Sequence, residues 1–168
     1  MKDKCPEPVL MPDGTISLDA CIRYFNHKYG FDKDTPRELE VAKLWGFKAE
    51  DFDENAEAYI DRYRFKRETV EIPKIKGTYS SCKVYLAQAP NGYWAVYFSI
   101  KLAREGRGAK PSIFNRTQYP DRQSALDAEL SCVIKYCEKS QDPHAKKMLK
   151  ILTDFKASQN AMEHPDLF

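Results

Sequence analysis

The stretch Tyr93-Trp94-Ala95-Val96-Tyr97-Phe98-Ser99-Ile100-Lys101-Leu102 decides the fold. Trp94, Val96, Phe98, Ile100 and Leu102 are all apolar and alternate with Tyr93, Ala95, Tyr97, Ser99 and Lys101. Successive side chains of a strand point to opposite faces, so the pattern predicts a strand with one face in a core. Its other face carries tyrosines and a lysine. Pro90-Asn91-Gly92 just upstream is a turn signal, and before it Cys82, Val84 and Leu86 alternate with Lys83, Tyr85 and Ala87. The two runs read as a hairpin. Downstream, Arg104 to Ala109, with Gly106 and Gly108, reads as a flexible basic loop, and roughly Ser112 to Gln118 as a third strand. A three-stranded antiparallel sheet with one apolar face needs a helix packed on it. The segment 121–138, capped by Tyr119-Pro120-Asp121, supplies one whose stripe is Leu126, Leu130, Val133, Ile134 and Cys137.

A last helix starts at Asp142-Pro143 and repeats Met148, Ile151, Leu152 and Phe155 at helical spacing; from about Ser158 the chain reads as a frayed tail. On the N-terminal side, residues 1–14 form an extended lead-in. Leu18, Cys21, Ile22, Phe25 and Tyr29 then make a helical stripe with Gly30 as its stop. Thr35-Pro36-Arg37-Glu38 is a capping box with proline at the first helical position, opening a helix through Leu39, Ala42, Leu44 and Trp45 to Gly46. A third helix, from about Glu54 to Arg67, presents Ala56, Tyr59, Ile60 and Tyr63 on one face. The expected class is α+β: an N-terminal helical subdomain, a three-stranded antiparallel sheet backed by a helix, and a C-terminal helix. The expected division is an acidic helical part, 1–72, and a basic part of sheet and two helices, 73–168, or one continuous domain.

The chain has 168 residues, 42% hydrophobic and 31% charged, enough for a sizeable core and too apolar for a disordered chain. A membrane span needs about 20 mostly apolar residues. The longest uncharged run, ending at Ile100, is broken by Gln88, Pro90, Asn91 and Gly92, so no span is expected. The first residues lack the apolar stretch of a secretory signal, and five cysteines without an export signal read as reduced thiols of a cytoplasmic protein. Charge is uneven. The whole chain is +2, residues 1–72 are −4, residues 73–168 are +6, and residues 73–118 are +7. An acidic front and a basic middle suggest different faces or partners.

No motif names a reaction. Cys132 and Cys137 are five apart and His144 follows seven later; on a helix that leaves the two thiols about 140° apart, unlike the close Cys pairs of zinc sites. No nucleophile signature surrounds any Ser or Cys, and His27, His144 and His164 show no partner pattern. Gly106-Arg107-Gly108 lacks the Lys-Ser/Thr and helix of a phosphate-binding loop. No catalytic residue, metal or cofactor is expected. Glu40 to Phe47 resembles the opening of a helix-turn-helix, but Glu50, Asp51, Asp53, Glu54 and Glu57 then place acids where phosphates would lie. These five acids are either a solvated face or a docking surface for a basic host protein. In the docking case the chain would be a protein-interaction inhibitor of the anti-defence type.

The outer sheet face is the other lead. Lys83, Tyr85, Tyr93, Tyr97 and Lys101, with Arg104, Arg107 and Arg116 near it, interleave aromatic rings that stack on bases with cations that hold phosphates. The competing reading has the N-terminal helices docked over the same tyrosines.

Residues 79–138 resemble small strand–strand–strand–helix modules. Gly92-Tyr93-Trp94-Ala95-Val96, a basic loop, and Tyr119-Pro120-Asp121-Arg122-Gln123-Ser124-Ala125-Leu126 are similar to the DNA-binding domain of plant ethylene-responsive factors and to the arm-site-binding domain of tyrosine integrases. A similar tail occurs in uncharacterised phage and plasmid proteins. The third strand offers Thr117-Gln118-Tyr119 in place of the plant family's Gly-aromatic ending, and the first strand has Lys83 without an Arg-rich pattern. The resemblance implies a sheet laid on nucleic acid, DNA before RNA, in a non-enzymatic accessory protein encoded by a phage or plasmid.

Overall fold

The computed structural model describes residues 4–29, 35–48 and 66–163. In chain order the elements are β1 (Val9–Leu10), β2 (Ile16–Ser17), α1 (Asp19–Tyr29), α2 (Thr35–Lys43), β3 (Lys66–Ile72), β4 (Ser81–Gln88), β5 (Trp94–Lys101), β6 (Gly106–Gly108), β7 (Thr117–Gln118), α3 (Arg122–Lys139) and α4 (Ala145–Glu163). The class is α+β, with two antiparallel sheets ordered β1-β2-β7 and β3-β4-β5-β6. Among the described residues no helix is long and apolar enough to cross a membrane.

The chain divides into two compact units built from interleaved segments. The first takes residues 1–67, 87–95 and 111–122, and the second takes 68–86, 96–110 and 123–168.

The first unit is centred on Leu18, Cys21, Ile22, Phe25, Val41, Ala42, Trp45, Phe47, Ala87, Ala89, Ala95 and Ile113, all buried. Of the expected α1 stripe Leu18, Cys21, Ile22 and Phe25 are buried and Tyr29 is exposed; of the expected α2 stripe Ala42 and Trp45 are fully buried, Leu39 and Leu44 are half-buried, and Val41 joins the core instead. Trp45 is fully buried and its indole Nε1–H donates to the Ile113 carbonyl at 2.8 Å, which satisfies the one polar atom it brings into the core. Gly46 follows with a φ of +82°, as its stop role demands. A Cβ there would also lie 2.8 Å from the Asn91 nitrogen, so the backbone approach excludes a side chain independently of φ. In the small sheet Ile16 pairs with both Leu10 and Gln118. Gln118 is buried, donates to the Leu44 carbonyl at 2.6 Å and accepts from Asn91 Nδ2 at 3.1 Å.

The second unit has its core on the inner sheet face. Cys82, Val84, Leu86, Val96, Phe98, Ile100 and Leu102 are buried, as are Ala125, Leu126, Leu130, Val133 and Cys137 of α3 and Ala145, Met148 and Leu152 of α4. Phe98 meets Tyr136 of α3 with ring centroids 6.1 Å apart, and Lys156 of α4 donates to Ser131 Oγ of α3 at 2.6 Å. Each large side chain buried here contributes roughly 1.5–3 kcal/mol.

Four local expectations change. The segment 112–118 is strand only at Thr117–Gln118, which joins the small sheet. The basic Gly-Arg-Gly loop is instead strand β6, paired to β5 as Ser99↔Gly108, Ile100↔Arg107 and Lys101↔Gly106. Lys66–Ile72 adds an edge strand where a helix was expected to run to Arg67; the rest of that expected helix lies outside the described residues. The tail expected to fray from Ser158 continues α4 to Glu163.

Candidate nucleic-acid interface

The polar face of the four-stranded sheet is set by strand alternation. In β4 Ser81, Lys83 and Tyr85 are half-buried between the fully buried Cys82, Val84 and Leu86; in β5 Tyr97 and Ser99 are half-buried and Lys101 exposed. The hairpin joining them closes with the Ala89 N–H donating to the Tyr93 carbonyl at 2.8 Å, and Gly92 turns the chain at φ +85°. An unbroken register from that closing pair sets Ala87 across from Ala95 and Tyr85 across from Tyr97. Ala87 and Ala95 are fully buried in the apolar cluster of the first unit. Tyr85 and Tyr97, in the second unit, are half-buried.

Beside β5, Gly106 and Gly108 stand opposite Lys101 and Ser99 on this same face. Directly opposed residues of an antiparallel pair project to the same side, so β6 brings no side chain there. The space is tight: a Cβ on Gly108 would lie 2.7 Å from Ser99 Oγ, and one on Gly106 2.9 Å from the Ile100 carbonyl oxygen. The result is a flat lane of backbone next to Tyr97, Ser99 and Lys101.

The basic residues differ in how far they are committed. Lys83 Nζ pairs with Glu71 of β3 at 2.7 Å, and that hydrogen bond and charge hold the ammonium above its ordinary range. Arg116, in the first unit, pairs with Asp19 at 3.3 Å. Tyr93 is half-buried at the hairpin end, also in the first unit. Arg107 stands opposite Ile100 and so belongs to the inner face; its guanidinium lies 5.9 Å from the Phe98 ring centroid and hydrogen-bonds Tyr97. Lys101 and Arg104 are exposed and have no ion-pair partner among the described residues. In the second unit Lys83, Tyr85, Tyr97 and Lys101 share the polar face, Arg104 lies in the β5–β6 turn, and Arg107 falls on the inner face. The acids Glu50, Asp51, Asp53, Glu54 and Glu57 lie outside the described residues.

Sequence reasoning missed two groups. Glu129 of α3 is buried, and burial pushes its carboxyl up to about 7, while the Phe98 N–H and Arg107 pull it back down. The only signal in the sequence is a carboxylate inside a helical apolar stripe. Asp142 clamps the β5–β6 turn: its carboxylate accepts Ala103 N–H at 3.2 Å, Arg104 N–H at 2.6 Å and His144 N–H at 2.8 Å. A shallow open hollow follows this turn, lined by Lys101, Leu102, Ala103, Arg104, Glu105 and Gly106.

Burial pushes the Cys82 and Cys137 thiols up to about 12 and about 11, so neither is a nucleophile at neutral pH. Among the described residues no group of three His, Cys, Asp or Glu side chains is arranged to hold a metal ion. No protein-family model, no curated protein and no solved structure matches the chain.

Proposed function

We propose that the chain is a nucleic-acid-binding accessory protein that uses the polar sheet face, without catalysis. The observation that carries the reading is the polar face itself, where Tyr85 and Tyr97 are half-buried, β6 presents only glycines, and Lys101 and the turn residue Arg104 have no ion-pair partner among the described residues. Rings on a sheet stack on bases at about 1–3 kcal/mol each, and the cations beside them hold phosphates. The expected outlet is DNA, as the resemblance to sheet-reading DNA modules implies.

Lys83 and Arg116 already hold carboxylates, so about two phosphates are neutralised. Binding of labelled single- and double-stranded DNA and RNA, followed by anisotropy from ~50 mM salt upward, then has a log–log slope near −2. Tyr85→Ala and Tyr97→Ala each weaken binding about tenfold or more with the slope unchanged, and Lys101→Ala reduces the slope by about one. Absence of binding to all four nucleic acids at ~50 mM salt overturns the reading.

A further inference from the structure

Cys5 and Cys21 sit on the same acceptor. Cys5 Sγ lies 3.4 Å from the Pro6 carbonyl oxygen, and Cys21 Sγ lies 3.1 Å from that same oxygen. Their surroundings differ. Cys21 is fully buried in the first turn of α1, inside the apolar cluster of the first unit, whereas Cys5 is half-exposed in the lead-in. That lead-in enters β1, which is tied to β2 by only two residue pairs, Val9↔Ser17 and Leu10↔Ile16.

We propose that Cys5 and Cys21 form a reversible disulfide that staples the N-terminal lead-in to α1. Two sulfurs gathered on one carbonyl oxygen, one reachable from solvent and one held rigidly by a helix, match the attacking and resolving thiols of disulfide exchange. The oxidant is a small dialkyl disulfide such as oxidised glutathione. The Cys5 thiolate attacks one of its sulfurs and expels one thiolate, leaving a mixed disulfide on Cys5. Cys21 loses its proton to water and attacks the Cys5 sulfur, expelling the second thiolate. Two cysteine thiols are oxidised by two electrons, and the small disulfide is reduced to two thiols that take up the two protons. Burial, and then the Glu40 carboxylate, hold the Cys5 thiol above its ordinary range, while Lys28 acts the other way. Burial likewise raises Cys21, with Cys5 beside it. The exchange is therefore slow at neutral pH and quickens as pH rises.

The test uses the whole chain, treated with oxidised glutathione, quenched with iodoacetamide and digested. Lys4 and Arg23 are consecutive tryptic sites, so both cysteines fall in one peptide, 5–23. The expected peptide is lighter by two hydrogens, resists alkylation, and keeps its fragments 5–12 and 19–23 joined when an aspartate-specific protease cuts before Asp13 and Asp19. The oxidised protein melts several degrees higher than the reduced protein. Cys5→Ser and Cys21→Ser each remove the melting shift, while Cys132→Ser, which removes an exposed thiol, keeps it. Full alkylation of both cysteines after oxidation, a glutathione adduct that stops on Cys5, or pairing of either with Cys132 overturns the proposal.

Discussion

The Asp142 carboxylate holds the backbone N–H of Arg104 at 2.6 Å across a separation of 38 residues. The turn that receives it closes with Leu102 N–H donating to the Glu105 carbonyl at 2.8 Å, and no non-glycine residue in the described chain has a positive φ. Two-residue hairpin loops prefer turns with positive φ, because the ordinary turns splay the strands. Asp142 supplies from outside what Ala103 and Arg104 cannot supply by conformation. It also serves α4, where Ala145 N–H donates to its carbonyl at 3.0 Å.

Removing that clamp loosens β6. Asp142→Ala is expected to lower the melting temperature by several degrees and to speed amide exchange at Arg107 and Ala109, whereas Asp142→Asn, which keeps one acceptor oxygen, does so less. Burial works to raise the Asp142 carboxyl, but the N–H groups of His144, Arg104, Ala103 and Glu105 outweigh it and the net direction is downward. A carboxyl depressed in the folded state contributes stability above its unfolded value of about 3.9, and that stability is lost as pH falls below it. Thermal melts of wild type and Asp142→Asn should therefore converge as pH drops from 5 toward 3.

Glu129 carries the opposite sign. Its folded value of about 7 lies above its unfolded value, so its contribution is complete at low pH and declines as pH rises through about 5 to 7. Glu129→Gln should be more stable than wild type at pH 8 by roughly 2–3 kcal/mol, with the gap closing by pH 5. Urea unfolding at both values measures it. An equal gap at both pH values would show that the carboxyl does not titrate in this range.

Gly46→Ala meets two obstacles at once, a φ of +82° and the Asn91 backbone 2.8 Å from the new carbon. A cost of about 1–3 kcal/mol is expected in chemical denaturation, with the turn after α2 displaced.

Phe98→Ala and Tyr97→Ala separate the two sheet faces. Phe98 is 5% exposed and packs under Tyr136, so its truncation should cost about 3–5 kcal/mol. Tyr97 is half-buried, stacks on Phe98 with centroids 5.9 Å apart and bonds Arg107, and its truncation should cost about 1 kcal/mol. The reverse order of costs would invert the assignment of faces.

The legible parts of this chain are those whose physics is local. Alternation at Val96, Phe98 and Ile100, the α3 stripe from Leu126 to Cys137, and the glycine stop at Gly46 each follow from a few neighbouring residues. β3 escaped because Lys66-Arg67-Glu68-Thr69-Val70-Glu71-Ile72 is charged like a solvated helix, a composition that also suits an edge strand. β6 escaped because glycines signal a loop unless a neighbouring strand passes so close that a Cβ would clash, as one on Gly108 would with Ser99. Of the polar sheet face, the positions of Tyr85, Tyr97 and Lys101 were readable from period alone. The commitments of Lys83 to Glu71 and of Arg116 to Asp19 were not, since each joins separate segments. The Asp142 clamp has no sequence signature for the same reason.

Trp45 and Trp94 are the chain's two tryptophans, and both belong to the first unit, Trp45 fully buried there. Indole emission therefore watches one unit and is blind to the other, whose α3 and α4 dominate the far-ultraviolet ellipticity instead. Following both signals through a single denaturant series counts the cooperative transitions directly: superimposed curves mean the units melt as one, and separated midpoints give each its own stability.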